Sequence, residues 1–166
     1  VTMRAVEREA AAAAWEVEVP DEQSSARLAG MLAAVMITPC VVYLQGDLGA
    51  GKTLFTRAYI HSLGFDGYVK SPSYGLLETY RAGGQTILHL DLYRIEDPEE
   101  LEYLAIRDLY GPECVLMVEW PDRGRNFLPD ADLVLEFSEK GESRFIKCTP
   151  FSTEGRELAR KLDKSA

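Results

Sequence analysis

Residues 46–53, Gly-Asp-Leu-Gly-Ala-Gly-Lys-Thr, combine glycines, a lysine and a hydroxyl residue in a pattern suited to phosphate binding. Glycines let the backbone N–H groups of a turn converge on phosphate oxygens without side chains in the way. The ammonium of Lys52 would contact the β- and γ-phosphates of a nucleotide, and the hydroxyl of Thr53 would bind Mg²⁺. Because all eight positions of the P-loop pattern are matched, the sequence predicts a Mg²⁺-dependent nucleotide site.

The segments on either side of this loop predict how it is held. Residues 40–44 are a continuous apolar run, typical of a strand that is covered on both faces. A helix is predicted from Lys52 to Leu63, and its N-terminal N–H groups and dipole would favour an anion. The residues predicted to bind the nucleotide are Asp47, Leu48, Gly49, Ala50, Gly51, Lys52, Thr53 and Leu54.

Two acidic residues directly follow apolar runs and are candidates for the metal site. Asp91 follows residues 87–90, and Glu119 follows residues 115–118. A P-loop needs a carboxylate at the end of a neighbouring strand, and open α/β sheets bind ligands at the carboxyl ends of their strands. We predict that Glu119 binds the metal and that Asp91 binds water or a metal-bound water, although the two roles could be exchanged.

Other polar and aromatic residues have two interpretations each. Ser73 lies in a Ser-Pro-Ser-Tyr segment that is either a loop sensing the γ-phosphate or an ordinary turn. Trp120 is either a core residue or a wall of the site. His61 and His89 are predicted to be packed or surface histidines rather than catalysts.

Hydrophobic periodicity elsewhere predicts an α/β protein with a P-loop NTPase-like three-layer fold. The sheet is expected to be mixed, with parallel core strands and an antiparallel margin. Residues 1–13 are predicted to be a flexible tail. The other expected elements are an edge strand near Trp15, a helix opened by Asp21, a hairpin of residues 76–81 and 86–93, a helix capped by Asp97, strands at 131–137 and 144–149, and a closing helix near Thr153.

Charge and cysteine content limit the classes of function. The chain has 18 basic and 27 acidic residues, a net charge of −9, which disfavours direct binding of nucleic acid. Three cysteines lie far apart, and this odd number predicts reduced, buried thiols in a cytoplasmic protein. No stretch approaches the ~18 apolar residues of a membrane helix, so no membrane association is expected.

Five segments together resemble the bacterial TsaE family, the ATPases of tRNA threonylcarbamoyladenosine biosynthesis. The resemblance extends from about Val17 to the closing helix. It implies that residues 14–166 form a single P-loop ATPase domain. The segments that carry it are residues 46–53, Lys-Ser-Pro-Ser-Tyr at 70–74, His-Leu-Asp-Leu-Tyr-Arg at 89–94, Asp-Pro-Glu-Glu-Leu at 97–101 and Val-Glu-Trp-Pro at 118–121.

This resemblance implies an activity, cofactors and partners. The expected protein binds ATP or ADP with Mg²⁺ and hydrolyses ATP slowly when alone. It works with TsaD and TsaB to form N6-threonylcarbamoyladenosine at position 37 of tRNA. The acidic composition fits a factor that reaches tRNA only indirectly, through its protein partners.

The resemblance also implies roles for single residues. Thr53 and Glu119 would bind Mg²⁺, and residues 21–25 would contact the adenine. Ser73 stands where the family usually has threonine, so the hydroxyl of the switch-like loop is kept. The expected catalytic residues are Lys52, Asp91, Glu119, Trp120 and Ser73.

Three alternatives share the same loop. A GTPase would need an Asn-Lys-x-Asp element, but the only asparagine, Asn126, is followed by Phe127. A small-metabolite or nucleotide kinase would need a lid with several arginines, for which Arg123 and Arg125 are the best candidates. A binding module that does not hydrolyse ATP stays open, because binding and slow hydrolysis use the same loop.

Overall fold

A mixed seven-stranded sheet runs through the computed structural model, which describes residues 3–124 and 126–165. The order of strands across the sheet is β1-β7-β6-β2-β5-β4-β3. Apolar or alternating runs supply most strands, as the sequence predicts. Their bounds are β1 Trp15–Glu18, β2 Cys40–Gln45, β3 Leu77–Ala82, β4 Gln85–Asp91, β5 Cys114–Glu119, β6 Leu133–Lys140 and β7 Ser143–Pro150.

Helices cover the two faces of this sheet. The largest α-helices belong to one layer, in which α2 packs against α3 and α5. The second face is covered by shorter segments around Leu101 and Ile106. The bounds are α1 Met3–Ala13, α2 Glu22–Val35, α3 Lys52–Ser62, α4 Ile106–Leu109 and α5 Thr153–Ser165, with 3₁₀ helices at Pro98–Leu104 and Pro121–Gly124.

The centre of the sheet is parallel and its margins are antiparallel, which confirms the predicted fold class. Strand β2 pairs in parallel with both β5 and β6, and β5 pairs in parallel with β4. Strands β3, β7 and β1 are each antiparallel to their neighbours. Because β2, β4 and β5 run in the same direction, their carboxyl ends meet at one edge of the sheet.

Alternation along the parallel strands decides which layer each side chain joins. In β5, Val115 and Met117 pack in the layer of α2 and α3, whereas Leu116 and Val118 pack in the opposite layer. This is the period of two that strand geometry imposes. Glu119 therefore continues the row that faces α3.

Two segments differ from the sequence-based expectations. The tail predicted over residues 1–13 contains helix α1, which contacts β7 and α5, and its flexibility stays a prediction. Asp97 does cap a helix. Its side chain accepts a hydrogen bond from the Glu99 N–H, and its own N–H donates to the Glu100 carboxylate. That helix is 3₁₀ rather than α, and Ala105 at φ 50° ends it.

The predicted reduced, buried thiols are confirmed by the structure. Cys40, Cys114 and Cys148 are buried, and none forms a disulfide. Burial raises the pKa of the Cys148 thiol to about 12, so its thiolate fraction at neutral pH is very small. In the part of the chain that the structure describes, no helix is long and apolar enough to cross a membrane.

Two glycines test the packing of the helical layer. In α5, a Cβ on Gly155 would lie 1.8 Å from the carbonyl oxygen of Asp132, whereas in α2 a Cβ on Gly30 would lie 3.7 Å from Ser62 Cβ. We expect Gly155→Ala to lower the free energy of unfolding by about 3 kcal/mol or more because a backbone atom must move. Gly30→Ala should raise it by about 0.5–1 kcal/mol.

Urea denaturation of the two variants measures both changes. Equal stability of the Gly155→Ala variant and the wild-type protein would contradict the close approach of α5 to the segment before β6.

Candidate functional site

The loop between β2 and α3 has the backbone that its glycines predict. Gly46, Gly49 and Gly51 have φ values of 152°, 77° and 103°, a region that residues with a Cβ rarely adopt. A Cβ on Gly46 would also lie 2.7 Å from the carbonyl oxygen of Phe137. The loop ends at the N-terminus of α3, where the first N–H groups have no partners within the helix. This backbone can therefore bind an anion.

Lys52 lies inside this loop. Its side chain is 5% exposed, and its Nζ donates hydrogen bonds to the carbonyl oxygens of Gly46 and Asp47, the latter at 2.9 Å. The same Nζ lies 4.5 Å from the centre of the Trp120 ring. Burial lowers the pKa of Lys52, and nearby carboxylates, first that of Glu119, oppose this effect. The ammonium thus lies where phosphate oxygens would meet it.

Thr53 and Glu119 form the second part of the site. The Thr53 hydroxyl donates to the Glu119 carboxylate, at 2.9 Å from Oε1 and 3.2 Å from Oε2. Glu119 is the last residue of β5 and is only 2% exposed. The two predicted metal ligands therefore lie side by side next to the lysine.

Asp91 is the neighbour of Glu119 in the adjacent strand. The parallel register of β4 and β5 pairs these two residues directly. Asp91 Oδ2 accepts a hydrogen bond from the Ser73 hydroxyl at 3.2 Å, and Oδ1 accepts the N–H of Tyr93 at 3.0 Å. Ser73 Oγ is also 2.7 Å from Ser71 Oγ. The predicted switch-like segment is thus connected to the second carboxylate.

Trp120 forms one wall of the site, as one of its two interpretations predicts. The residue is half-buried and adopts φ 57°, a conformation that costs energy for a bulky side chain. Its ring packs against Tyr93 at 5.0 Å between centroids, and the Arg123 guanidinium lies over both rings. Arg123 also donates to the Tyr93 carbonyl. These contacts hold the indole beside Lys52.

One cleft of about 330 Å³ is bordered by Lys52, Thr53, Ser73, Asp91, Glu119 and Trp120. Asp21, Glu22 and Ser25 border the same cleft, so three of the five residues in the segment predicted to contact adenine lie on its wall. Asp21 is the N-cap of α2, where its carboxylate accepts the N–H and the hydroxyl of Ser24 at 2.7 Å each. These bonds lower the pKa of Asp21. The cleft therefore extends from the phosphate loop to the start of α2.

The donor set at the loop fits Mg²⁺. This ion prefers oxygen ligands and is usually bound by one or two protein oxygens together with phosphates and water. Thr53 Oγ1 and the Glu119 carboxylate are such oxygens and lie beside the phosphate loop. Among residues 3–124 and 126–165, no cluster of three or more His, Cys, Asp or Glu side chains forms a metal cage. An ion here would therefore depend on phosphate oxygens.

Several features of the site are not indicated by the sequence. His89 is packed, as one of its predicted roles allows, but its sequence neighbours do not indicate that its Nε2 lies 3.1 Å from Glu119 Oε2. Phe137, Arg144 and Phe145 border the cleft, although nothing in their local pattern indicates this. His61 is exposed, as one of its predicted roles allows, and its ring contacts the Gly67 carbonyl.

Of the two arginines proposed for a kinase lid, the structure describes only Arg123. Arg123 lies against Tyr93 and Trp120 instead of extending over the cleft. Arg125 lies outside the described residues. No contact among the residues that the structure describes favours the kinase alternative.

Comparison with known proteins gives consistent similarities. The model of the family described as threonylcarbamoyl adenosine biosynthesis protein TsaE matches residues 19–146. The chain is 40% identical to the tRNA threonylcarbamoyladenosine biosynthesis protein TsaE of Haemophilus influenzae, over 78% of this chain and 85% of that protein. The protein of the same name from Bacillus subtilis is 33% identical, over 77% and 78%. The crystal structure of B. subtilis YdiB superposes with a TM-score of 0.76 and 25% identity, covering 92% and 95%.

The distance between Lys52 and Trp120 predicts a fluorescence signal. Phosphate oxygens entering the loop would attract the ammonium that now lies over the indole, so ADP with Mg²⁺ should change the emission of Trp120. The chain has two tryptophans, and Trp15 lies in β1, where its Nε1 donates to Ala159. The Trp15→Phe variant should keep the change and Trp120→Phe should lose it. A full signal in Trp120→Phe would contradict this geometry.

Proposed function

The chain belongs to the TsaE family of threonylcarbamoyl adenosine biosynthesis proteins, and we propose that it hydrolyses ATP in a Mg²⁺-dependent reaction. The family takes part in tRNA threonylcarbamoyladenosine biosynthesis. The observation that carries the proposal is the convergence of Lys52, Thr53 and Glu119 at the end of the parallel strands. These residues have the chemistry needed to bind a triphosphate with its metal ion.

The loop and Lys52 would bind the phosphates. The N–H groups at the start of α3 and the Lys52 ammonium would together bind the negative charge of the phosphates. To reach a γ-phosphate, the ammonium would exchange its bonds to the Gly46 and Asp47 carbonyls for charge-assisted bonds to phosphate. This exchange stabilises the charge that spreads over the phosphoryl oxygens during transfer.

Thr53 and Glu119 would hold the metal ion. An ion held by these two residues would supply positive charge against the negative charge that develops on the phosphates. The Thr53 hydroxyl now donates to Glu119, and turning this hydrogen away frees oxygen lone pairs of both groups for an ion. The burial of Glu119 excludes competing water from this side of the site.

Asp91 and Ser73 would organise the attacking water. The Asp91 carboxylate borders the cleft beside Glu119 and can accept a hydrogen bond from water. In-line attack would form a bond from the water oxygen to the γ-phosphorus while the bond to the ADP oxygen breaks. Ser73 is connected to Asp91, so a movement of its segment on binding phosphate would reposition that carboxylate.

TsaD and TsaB are the proposed protein partners, and adenosine 37 of tRNA is the proposed place of the modification. A chain with a net charge of −9 repels the tRNA backbone on average, so the partners would hold the RNA. Hydrolysis would then serve the assembly rather than transfer the threonylcarbamoyl group. We place this protein in the cytoplasm with those partners.

Single substitutions test the proposed hydrolysis. Lys52→Ala and Glu119→Ala should each lower ATP turnover by about 100-fold or more, because each removes a charge that acts on the transferred phosphoryl group. Ser73→Ala should cause a smaller loss, since Asp91 keeps its bond to the Tyr93 N–H. Release of phosphate from ATP with Mg²⁺ measures all three.

Matched controls are available on the surface. Lys147 and Glu154 are exposed and do not border the cleft, so Lys147→Ala and Glu154→Ala should keep wild-type turnover. GTP should be hydrolysed more slowly than ATP. Full activity of Glu119→Ala would contradict the metal assignment, and equal use of ATP and GTP would contradict the ATPase assignment.

Addition of the partners tests the second half of the proposal. TsaB and TsaD together should raise the rate of ATP hydrolysis by this protein, and should leave the Lys52→Ala variant inactive. The measurement is phosphate release across a wide range of partner concentration. A rate that does not change anywhere in that range would favour a free-standing kinase or a binding module.

A further inference from the structure

His89 is a buried imidazole to which the proposed mechanism gives no role. It lies in β4 between Leu88 and Leu90 and is 0% exposed. Its Nε2 is 3.1 Å from Glu119 Oε2, and the Glu119 side chain is itself 2% exposed. A polar ring is placed in the core only when its hydrogen bond compensates for lost water. The contact with Glu119 is the bond that does so.

Strand register explains why the two side chains meet. Asp91 pairs with Glu119 across β4 and β5, and His89 pairs with Met117 two residues earlier. Since side chains alternate, His89 projects to the same face as Met117 and Glu119, towards α3. The ring therefore lies on the core side of the Glu119 carboxylate, whereas Thr53 contacts it from the loop side.

The hydrogen-bond partners of the His89 ring determine which of its nitrogens carries the hydrogen. A carboxylate only accepts, so the bond requires the hydrogen on Nε2. Among the residues that the structure describes, His89 Nδ1 is the one buried side-chain nitrogen or oxygen without a hydrogen-bond partner. An N–H at that position would be a buried donor without an acceptor, which is costly. A lone pair on Nδ1 and a hydrogen on Nε2 satisfy both observations.

We propose that His89 is a positioning residue that fixes the Glu119 carboxylate for Mg²⁺. Its N–H holds Oε2, so Oε1 stays directed at Thr53 Oγ1 and at the adjoining phosphate loop. Groups that bond to metal ligands from behind commonly set the orientation of those ligands. This inference rests on the proposed function, because it needs Glu119 to be a metal ligand.

Two amide substitutions separate orientation from packing. In His89→Gln the side-chain nitrogen can reach the place of Nε2 and keep the bond to Glu119. In His89→Asn the nitrogen extends only as far as Nδ1, so the bond is lost. We expect the Asn variant to need about tenfold more Mg²⁺ for half-maximal binding of the ATP analogue AMPPNP, and the Gln variant to resemble wild type.

Calorimetric titration of AMPPNP, with MgCl₂ at several concentrations and with EDTA, is the measurement. Affinity in EDTA should be the same in all variants, since the phosphate loop is untouched. His61→Gln controls for a histidine change at an exposed site, and Tyr59→Phe controls for loss of a buried hydrogen bond, here to Gln85. Equal Mg²⁺ dependence of the Asn and Gln variants would overturn the inference.

The ring tautomer can be read from the unmodified protein. The chain has only two histidines, so the ring signals of a ¹⁵N-labelled sample are readily assigned with the His61→Gln variant. We expect one ring with hydrogen on Nε2 only, protected from exchange with solvent. Hydrogen on Nδ1 of His89 would overturn the inference even if neither amide variant folded.

The outcomes distinguish this inference from the proposed function. Wild-type binding of AMPPNP that does not depend on Mg²⁺ would overturn both. Mg²⁺-dependent binding in the wild type, unchanged in His89→Asn, would leave the proposed function in place and overturn only the role of His89.

Discussion

The buried ammonium of Lys52 is the charge around which the site is arranged. A lysine that is 5% exposed needs oxygens close by, and the loop carbonyls of Gly46 and Asp47 supply them. The Glu119 carboxylate adds an opposite charge and Trp120 adds a π face. The phosphate loop and the Glu119–Trp120 pair are far apart in the sequence, so their convergence depends on the sheet.

Parallel pairing supplies that convergence. Strands β2, β4 and β5 run in one direction, so the phosphate loop, Asp91 and Glu119 emerge at one edge and beside the N-terminus of α3. The glycine conformations then let the loop turn within a few residues. The close approach of Gly46 to Phe137 connects this turn to β6, the other parallel neighbour of β2.

The two carboxylates have different surroundings, which suits different tasks. Glu119 is 2% exposed and is held from two sides by Thr53 and His89. Asp91 borders the cleft and is bonded to Ser73, whose segment has neither helix nor strand around it. A fixed carboxylate suits a metal ion, whereas one connected to a loop can respond to the state of the nucleotide.

Local pattern alone determined the P-loop, the strand and helix beside it, and Asp91 and Glu119 as strand-end acids, because those features depend on neighbours a few residues away. It also indicated a mixed sheet. Tertiary structure decided that His89 contacts Glu119, that Phe137 and Phe145 border the cleft, and that the segment after Asp97 is 3₁₀. Strand order and register bring together residues that are far apart in the sequence, as Trp15 and Cys148 are, and no period of two or 3.6 residues records those long-range pairings.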